Sequence, residues 1–235
     1  MQKTVEQRAL WVIISPVITP APGGGAVYYA ALGKALTDCG NDVLVITEQF
    51  PGAPDEEVHE GAAGSMKVLR YFPYRAGRSE KDLRSYASYL RQNMQFLDLA
   101  DTISQAISDQ HAQPLNILIH SSFFYKPNAL RFVIENMKAL GPAGAQLILD
   151  VRDPLFTPSH EKTFALFDAA IGCSAHIAKR LSESLPGAVT VREIPVPVEP
   201  LSRTDSDDLS KCIASLGLEG TRYVFNPNGV IRYKG

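Results

Sequence analysis

No stretch of this sequence approaches the ~20 consecutive apolar residues that a bilayer crossing needs. The apolar run near the N-terminus, residues 10–15, has only strand length and lacks the basic lead-in of a signal peptide. Cysteine is scarce. Cys39, Cys173 and Cys212 are odd in number and far apart, with no CxxC pair and no Cys/His spacing suited to zinc. Their pattern argues against a disulfide scaffold or a zinc module and favours a reducing, cytoplasmic compartment. An excess of one charge is also missing. The formal net charge of −2 gives no global attraction to nucleic acid, and none is expected as a partner. Internal repeats and low-complexity segments are absent. What the 235 residues do contain is 45% hydrophobic against 20% charged side chains, enough for one large or two small domains with ordinary cores.

Short apolar runs alternate with amphipathic stretches. Strands are expected over residues 10–15, 42–47, 66–72, 115–120, 146–151, 169–173 and 189–194, several of them continuously apolar like strands buried on both faces. A helix is expected from residue 26, with Val27, Ala31, Leu32, Ala35 and Leu36 at helical spacing and Gly40 as its stop. The longest helical pattern, residues 79–110, begins with Ser79 and Asp82 as a capping box. Further helices are expected over 127–140, 160–167 and 174–184. Residues 51–64, rich in glycine, proline and acids, are expected to form an exposed loop. Such alternation defines the class as α/β, a Rossmann-like, mostly parallel sheet with helices on both faces. Residues 1–200 would form that domain. Pro195, Pro197 and Pro200 punctuate its exit, and residues 201–220 form a linker with a short helix. Residues 221–235 open a new strand that has nothing to pair with, so a truncated second domain is expected there.

Open parallel sheets bind ligands outside the carboxyl ends of their strands, which gives several positions a chemical meaning. Gly23, Gly24 and Gly25 lie between the first strand and first helix, where backbone N–H groups can approach a phosphate or sugar. A tight βα turn without a ligand is the alternative. His120 ends a strand and suits orientation of a hydroxyl; a hydrogen-bonded structural histidine is its plainer explanation. Arg152 and Asp153 follow the 146–151 strand. The first suits a phosphate or carboxylate and the second suits sugar hydroxyls, unless the two simply pair with each other. Ser174 resembles the serine of a nucleophile elbow, but His176 replaces the final glycine of that motif. A helix N-cap explains Ser174 better, and its place at the same edge keeps it among the substrate-binding candidates. Arg70, Arg75, Arg78, Lys81, Arg84 and Arg91, interleaved with tyrosines, suit an anionic membrane surface or phosphorylated acceptor, or else a solvated helix face.

Taken in order, PGGGAVYYAALGKALTDCGNDVLVIT, ILIHSSFF, LILDVRDPLF, AAIGCSAHIAKRLSESLP and REIPVPVEP resemble the N-terminal domain of family-4 (group 1) glycosyltransferases of the GT-B fold. The closing YVFNPNGVIRYKG is similar to the first strand of that family's C-terminal domain, with Val230 where an arginine is usual. The resemblance implies a retaining, metal-independent enzyme that needs no cofactor and uses a nucleotide-diphosphate sugar as co-substrate. It would transfer a hexose to a glycan, lipid-linked sugar or polyol, with peripheral contact at the inner face of the membrane. It further implies that Gly23, Gly24 and Gly25 lie by the donor phosphates and acceptor, and that His120 lies near the transferring sugar as the catalytic candidate. Arg152 and Asp153 would line the acceptor side. The donor-side half being missing, the isolated chain is expected to be inactive. A non-catalytic sugar- or nucleotide-binding module is the alternative, followed by an NAD(P)-linked oxidoreductase domain. For the latter the glycine motif lacks its third glycine, although Glu48 could serve as the ribose-binding acid.

Overall fold

The computed structural model of the chain describes residues 8–21, 23–72, 115–121, 131, 134–135, 138, 144–152, 158–195, 211 and 214–215. The chain divides into two compact units, Met1–Pro197 and Val198–Gly235. The expected 79–110 helix, Asp153, the linker's course and the 221–235 strand lie outside the described residues.

The first unit is built on one eight-stranded sheet. Its elements in chain order are β1 (Leu10–Ile14), α1 (Gly24–Asp38), β2 (Asp42–Glu48), β3 (Glu56–Glu60), β4 (Ser65–Phe72), β5 (Leu115–His120), β6 (Gln146–Val151), α2 (Pro158–Phe164), β7 (Ala169–Gly172), α3 (Ala175–Ser184) and β8 (Thr190–Glu193). The spatial order is β3-β4-β2-β1-β5-β6-β7-β8. Every pairing is parallel except β3 with β4. From β1 the chain first builds outward through β2 and β4, then restarts on the other flank at β5. The topological switch point therefore falls between β1 and β5, where such sheets open a crevice.

The central strands are apolar throughout because both faces are covered. Ile13, Val43, Val45, Val68, Leu118 and Ile148 face α1, packing with Tyr28 and Tyr29. Val12, Ile14, Leu44, Ile117, Ile119, Leu149 and Val151 face the other way, against Ile134, Phe164, Ile177 and Leu181. Each fully buried side chain of this kind contributes about 1.5–3 kcal/mol. Arg131, Ile134, Glu135 and Lys138 are helical, within the span expected for a helix there. The arrangement is the Rossmann-like α/β class anticipated from the alternation of runs.

Two sequence expectations need correction, the loop over residues 51–64 and the basic stretch from Arg70, while the first helix forms as expected. Residues 51–64 are not all loop: β3 lies within them, pairing antiparallel to β4 at the sheet's rim. The most buried stripe of α1 is Ala26, Tyr29, Gly33 and Thr37, with Tyr28 beside it; Leu32 and Leu36 pack partly against the core, and Val27 is 62% exposed. Small residues on that stripe let the helix lie close to the sheet, and a Cβ at Gly33 would come within 2.3 Å of Met66 Sδ. Arg70 belongs to no basic surface. Its buried guanidinium donates to Pro54 O at 2.7 Å and Thr19 O at 3.1 Å and pairs with Glu57.

Gly172 marks where α3 meets the sheet most tightly. A Cβ there would stand 2.6 Å from the backbone nitrogen of Ala178 and 2.9 Å from its Cα. Backbone atoms cannot swing aside as a flexible side chain does. Gly172→Ala should therefore cost about 1–3 kcal/mol in chemical denaturation. Gly24→Ala, whose Cβ meets nothing within 4 Å, provides the sterically silent comparison.

Candidate functional site

The residues singled out by position converge on the carboxyl edge on either side of the switch point. After β1 the chain reaches Gly23, which is the N-cap of α1 at φ +117, a value that L side chains rarely adopt. Gly24 and Gly25 already belong to the first helical turn, so the glycine loop is in effect the helix N-terminus. Added Cβ atoms at Gly23 and Gly24 would point into open space. The free N–H groups of a helix start and its partial positive charge make this a surface that favours oxyanions.

Across the switch point, His120 ends β5 and registers with Asp150 on β6. Leu118 and Ile148 face α1, and strand alternation places His120 and Asp150 on that same face. Tyr29 joins them. Its hydroxyl donates to Asp150 Oδ2 at 2.6 Å, and its ring meets the His120 ring edge-on at 5.7 Å. Arg152, just beyond β6, places Nε 2.8 Å from Asp150 Oδ1 and 2.9 Å from Oδ2, the directed hydrogen bond going to Oδ2. The guanidinium carbon lies 3.5 Å from the centre of the Tyr28 ring, a close cation–π stack. Tyr28 and Tyr29 contact each other edge-to-face at 4.9 Å.

Burial sets the ionisation of the group. Asp150 is fully inaccessible and His120 nearly so. Burial, aided by the Arg152 charge, lowers the His120 pKa to about 4, so its imidazole is neutral at neutral pH. Burial pushes the Asp150 carboxyl up, while Arg152 and the Tyr29 hydroxyl hold it back. Burial alone would lower Arg152, but Asp150 and the two tyrosines raise it, and the guanidinium is a permanent cation. Tyr29 is raised well above its ordinary value, by burial first and the Asp150 charge second, so it stays a hydrogen-bond donor.

The cluster is not fully satisfied: Asp150 Oδ1 takes part in the ion pair but accepts no directed hydrogen bond from the described residues. Both terminal nitrogens of Arg152 are buried and have no hydrogen-bond partner among the described residues. Leaving buried donors unpaired costs on the order of 1–3 kcal/mol each, and more when they are charged. Ser174, by contrast, is spoken for: its side chain accepts the Ile177 N–H at 3.4 Å and caps α3. Cys173, beside it, approaches Arg152 O with its sulfur at 3.4 Å.

Gly23, Gly24, Gly25, His120, Arg152 and Ser174 thus all lie along the carboxyl edge of the sheet, with His120 and Arg152 tied to α1 through Tyr29 and Tyr28. Asp153 is outside the described residues. The sequence reading passed over Tyr28, Tyr29 and Asp150. A carboxylate inside the apolar run LILDV was the available signal for Asp150, since a buried charge needs a partner. Among the described residues no group of three or more His, Cys, Asp or Glu side chains is placed to hold a metal ion, and no helix is long and apolar enough to cross a membrane.

The fold and the polar cluster define a Rossmann-like α/β domain with its candidate site at the carboxyl edge of the sheet. No family profile matches the chain, and no curated protein matches it in sequence. Solved structures share the fold. Sucrose-phosphate synthase from Thermosynechococcus elongatus aligns with a TM-score of 0.50 at 14% identity, over 88% of this chain and 96% of that one. The catalytic domain of starch synthase IV from Arabidopsis thaliana, in a structure bound to ADP and acarbose, aligns with a TM-score of 0.57 at 11% identity. That alignment takes in 92% of this chain but 61% of the starch synthase chain. Both neighbours are GT-B glycosyltransferases, and at these identities the likeness is one of fold.

Proposed function

We propose that this chain is the acceptor-side domain of a GT-B glycosyltransferase of the retaining, family-4 type. It would act with a nucleotide-diphosphate sugar and transfer a hexose to a glycan, lipid-linked sugar or polyol, without a metal. The observation that supports this best is the placement beside the switch point: a glycine-rich helix start, a neutral His120 and a braced Arg152 share one edge of the sheet in a fold common to two such enzymes.

The roles follow from chemistry. Gly23, Gly24 and Gly25 let the donor or acceptor approach the backbone closely, and the helix start favours phosphate. His120, with a pKa near 4, is a weak base at neutral pH. It therefore orients a hydroxyl of the transferring sugar by hydrogen bonding rather than taking a proton. Asp153 and Arg152 line the acceptor side. Ser174 contributes chiefly as the cap of α3. Stabilisation of the leaving diphosphate falls to a donor-binding half, which accounts for the expected inactivity of this chain alone. The cysteine pattern favours a cytoplasmic setting, and a lipid-linked acceptor would bring the protein to the inner membrane face. The dinucleotide alternative is disfavoured by Tyr28, which stands where that fingerprint has its third glycine and whose buried ring is committed to Arg152.

The test is nucleotide release from a panel of nucleotide sugars, measured on this chain and on the same chain continued through any downstream reading frame, with and without a chelator. Release from the longer protein alone, unaffected by chelation, is the expected result. Turnover by the 235-residue chain at ordinary enzyme rates would overturn the inactivity. Ligand binding by both forms without turnover by either would favour the binding module.

A further inference from the structure

Arg152 is held in an unusual way. Arginine commonly meets a carboxylate with its forked nitrogens, yet here Nε alone faces Asp150, at 2.8 and 2.9 Å from the two oxygens. One face of the guanidinium is occupied by the Tyr28 ring at 3.5 Å. Asp150 in turn is anchored by the Tyr29 hydroxyl at 2.6 Å. Three fixed contacts therefore set the plane and direction of the group, and what remains is the fork formed by its two terminal nitrogens. Both are buried and without a partner among the described residues. A fork of this geometry matches two oxygens of a phosphate or carboxylate. Tyr28 and Tyr29 lie early in α1, so the helix start at Gly23, Gly24 and Gly25 is close along the chain and adds favourable potential for an anion.

We propose that the fork of Arg152 is an oxyanion subsite and that the acceptor carries an anionic group, a phosphate monoester in the first instance, which docks there. Asp150, Tyr29 and Tyr28 are its positioning residues. This deepens, and rests on, the assignment of the chain as a glycosyltransferase acceptor domain. Asp150 neutralises the resident charge of Arg152, so the subsite does not hold an anion by net charge alone. Recognition depends on the directed fork, and a lysine ammonium, lacking both planarity and the side-on Nε, does not reproduce it. The same oxyanion chemistry exists in the diphosphate of a donor, and the experiment separates the two sources.

The full 235-residue chain is titrated calorimetrically with inorganic phosphate, a hexose 6-phosphate, the unphosphorylated hexose, UDP and ADP. The hexose phosphate should bind at least about tenfold more tightly than the hexose, the gain of one charge-assisted recognition. Arg152→Lys should remove that advantage while leaving the weak hexose affinity in place. Arg152→Gln, with its melting curve recorded, serves where the lysine variant fails to fold, and Tyr29→Phe should weaken phosphate binding through looser placement of Asp150. Equal binding of hexose and hexose phosphate overturns the proposal, as does a phosphate affinity that Arg152→Lys leaves unchanged. Binding of UDP or ADP, lost in Arg152→Lys, without hexose phosphate binding overturns the acceptor assignment and gives the subsite to the donor. The two levels of inference fail separately. Nucleotide-sugar turnover by the longer protein, confined to neutral acceptors, removes the anionic acceptor and keeps the glycosyltransferase. Arg152-dependent hexose phosphate binding, with no turnover from any nucleotide sugar by the chain continued through its downstream reading frame, keeps the subsite and removes the transferase.

Discussion

Replacing Asp150 by alanine should cost about 3–5 kcal/mol of folding stability, the usual penalty for removing one partner of a buried ion pair. Asp150 is fully buried, and its loss strands two groups together: the Arg152 guanidinium, whose Nε then has no acceptor, and the Tyr29 hydroxyl, which donates to Oδ2 at 2.6 Å. Asp150→Asn keeps the shape and an acceptor for Tyr29 but not the charge, and should fall between alanine and the native residue. The pairing itself is tested by a cycle with Arg152→Leu. Removing both charges should recover most of the loss, because no uncompensated ion remains in the interior. Urea denaturation of the four proteins measures this, and simple additivity of the two single effects would contradict the picture of one coupled cluster.

Acidification should expose the second large effect. His120 is held neutral in the fold, with a pKa of about 4 against an ordinary value of 6.5. The unfolded chain thus binds a proton at higher pH than the folded one. The stability that His120 contributes by staying neutral is fully present above pH 6.5 and is lost as pH falls toward 4. The gap corresponds to about 3 kcal/mol. Asp150 acts in the opposite sense over its own range, because burial raises its carboxyl and so favours the folded state on acidification. A difference measurement removes that background. The stability of the wild-type chain minus that of His120→Gln, followed by denaturation from pH 7.5 to 4, should fall by the full amount across this window. Parallel curves would show that another group titrates.

Much of the fold was legible because burial on both faces leaves a plain mark. LWVII, DVLVITE and LNILIH are almost unbroken apolar runs, and they became the central strands. The strand that escaped notice, EEVHE, pairs on one side only and is mostly exposed, so it has no apolar run to betray it. The helix α1 was legible from its spacing, but the depth to which each of its residues is buried was not. Its contact with the sheet is made by Ala26, Tyr29, Gly33 and Thr37, and small or polar residues at a close contact carry no hydrophobic signal. Within the site, position along the strands was enough to select His120 and Arg152, since every parallel strand delivers its C-terminal residue to the same edge. What position could not supply was their companions. Tyr28 and Tyr29 carry no motif of their own, and only the three-dimensional approach of α1 to β5 and β6 shows that one stacks on Arg152 and the other bonds to Asp150.

Arg70 has a mechanical meaning that its burial alone does not convey. Rooted in β4, it holds Pro54, just before the rim strand, with one terminal nitrogen, and with the other it holds both Glu57 of that strand and Thr19, on the approach to the glycine-bearing helix start. The rim and the approach loop are thereby clamped into a single stiff frame. The outer strand and the segment leading to Gly23 therefore share one buried cation, and loss of Arg70 would unfasten both together. The periphery of the sheet thus serves as a fastening for the loop that leads into the candidate site, and Arg70 is its rivet.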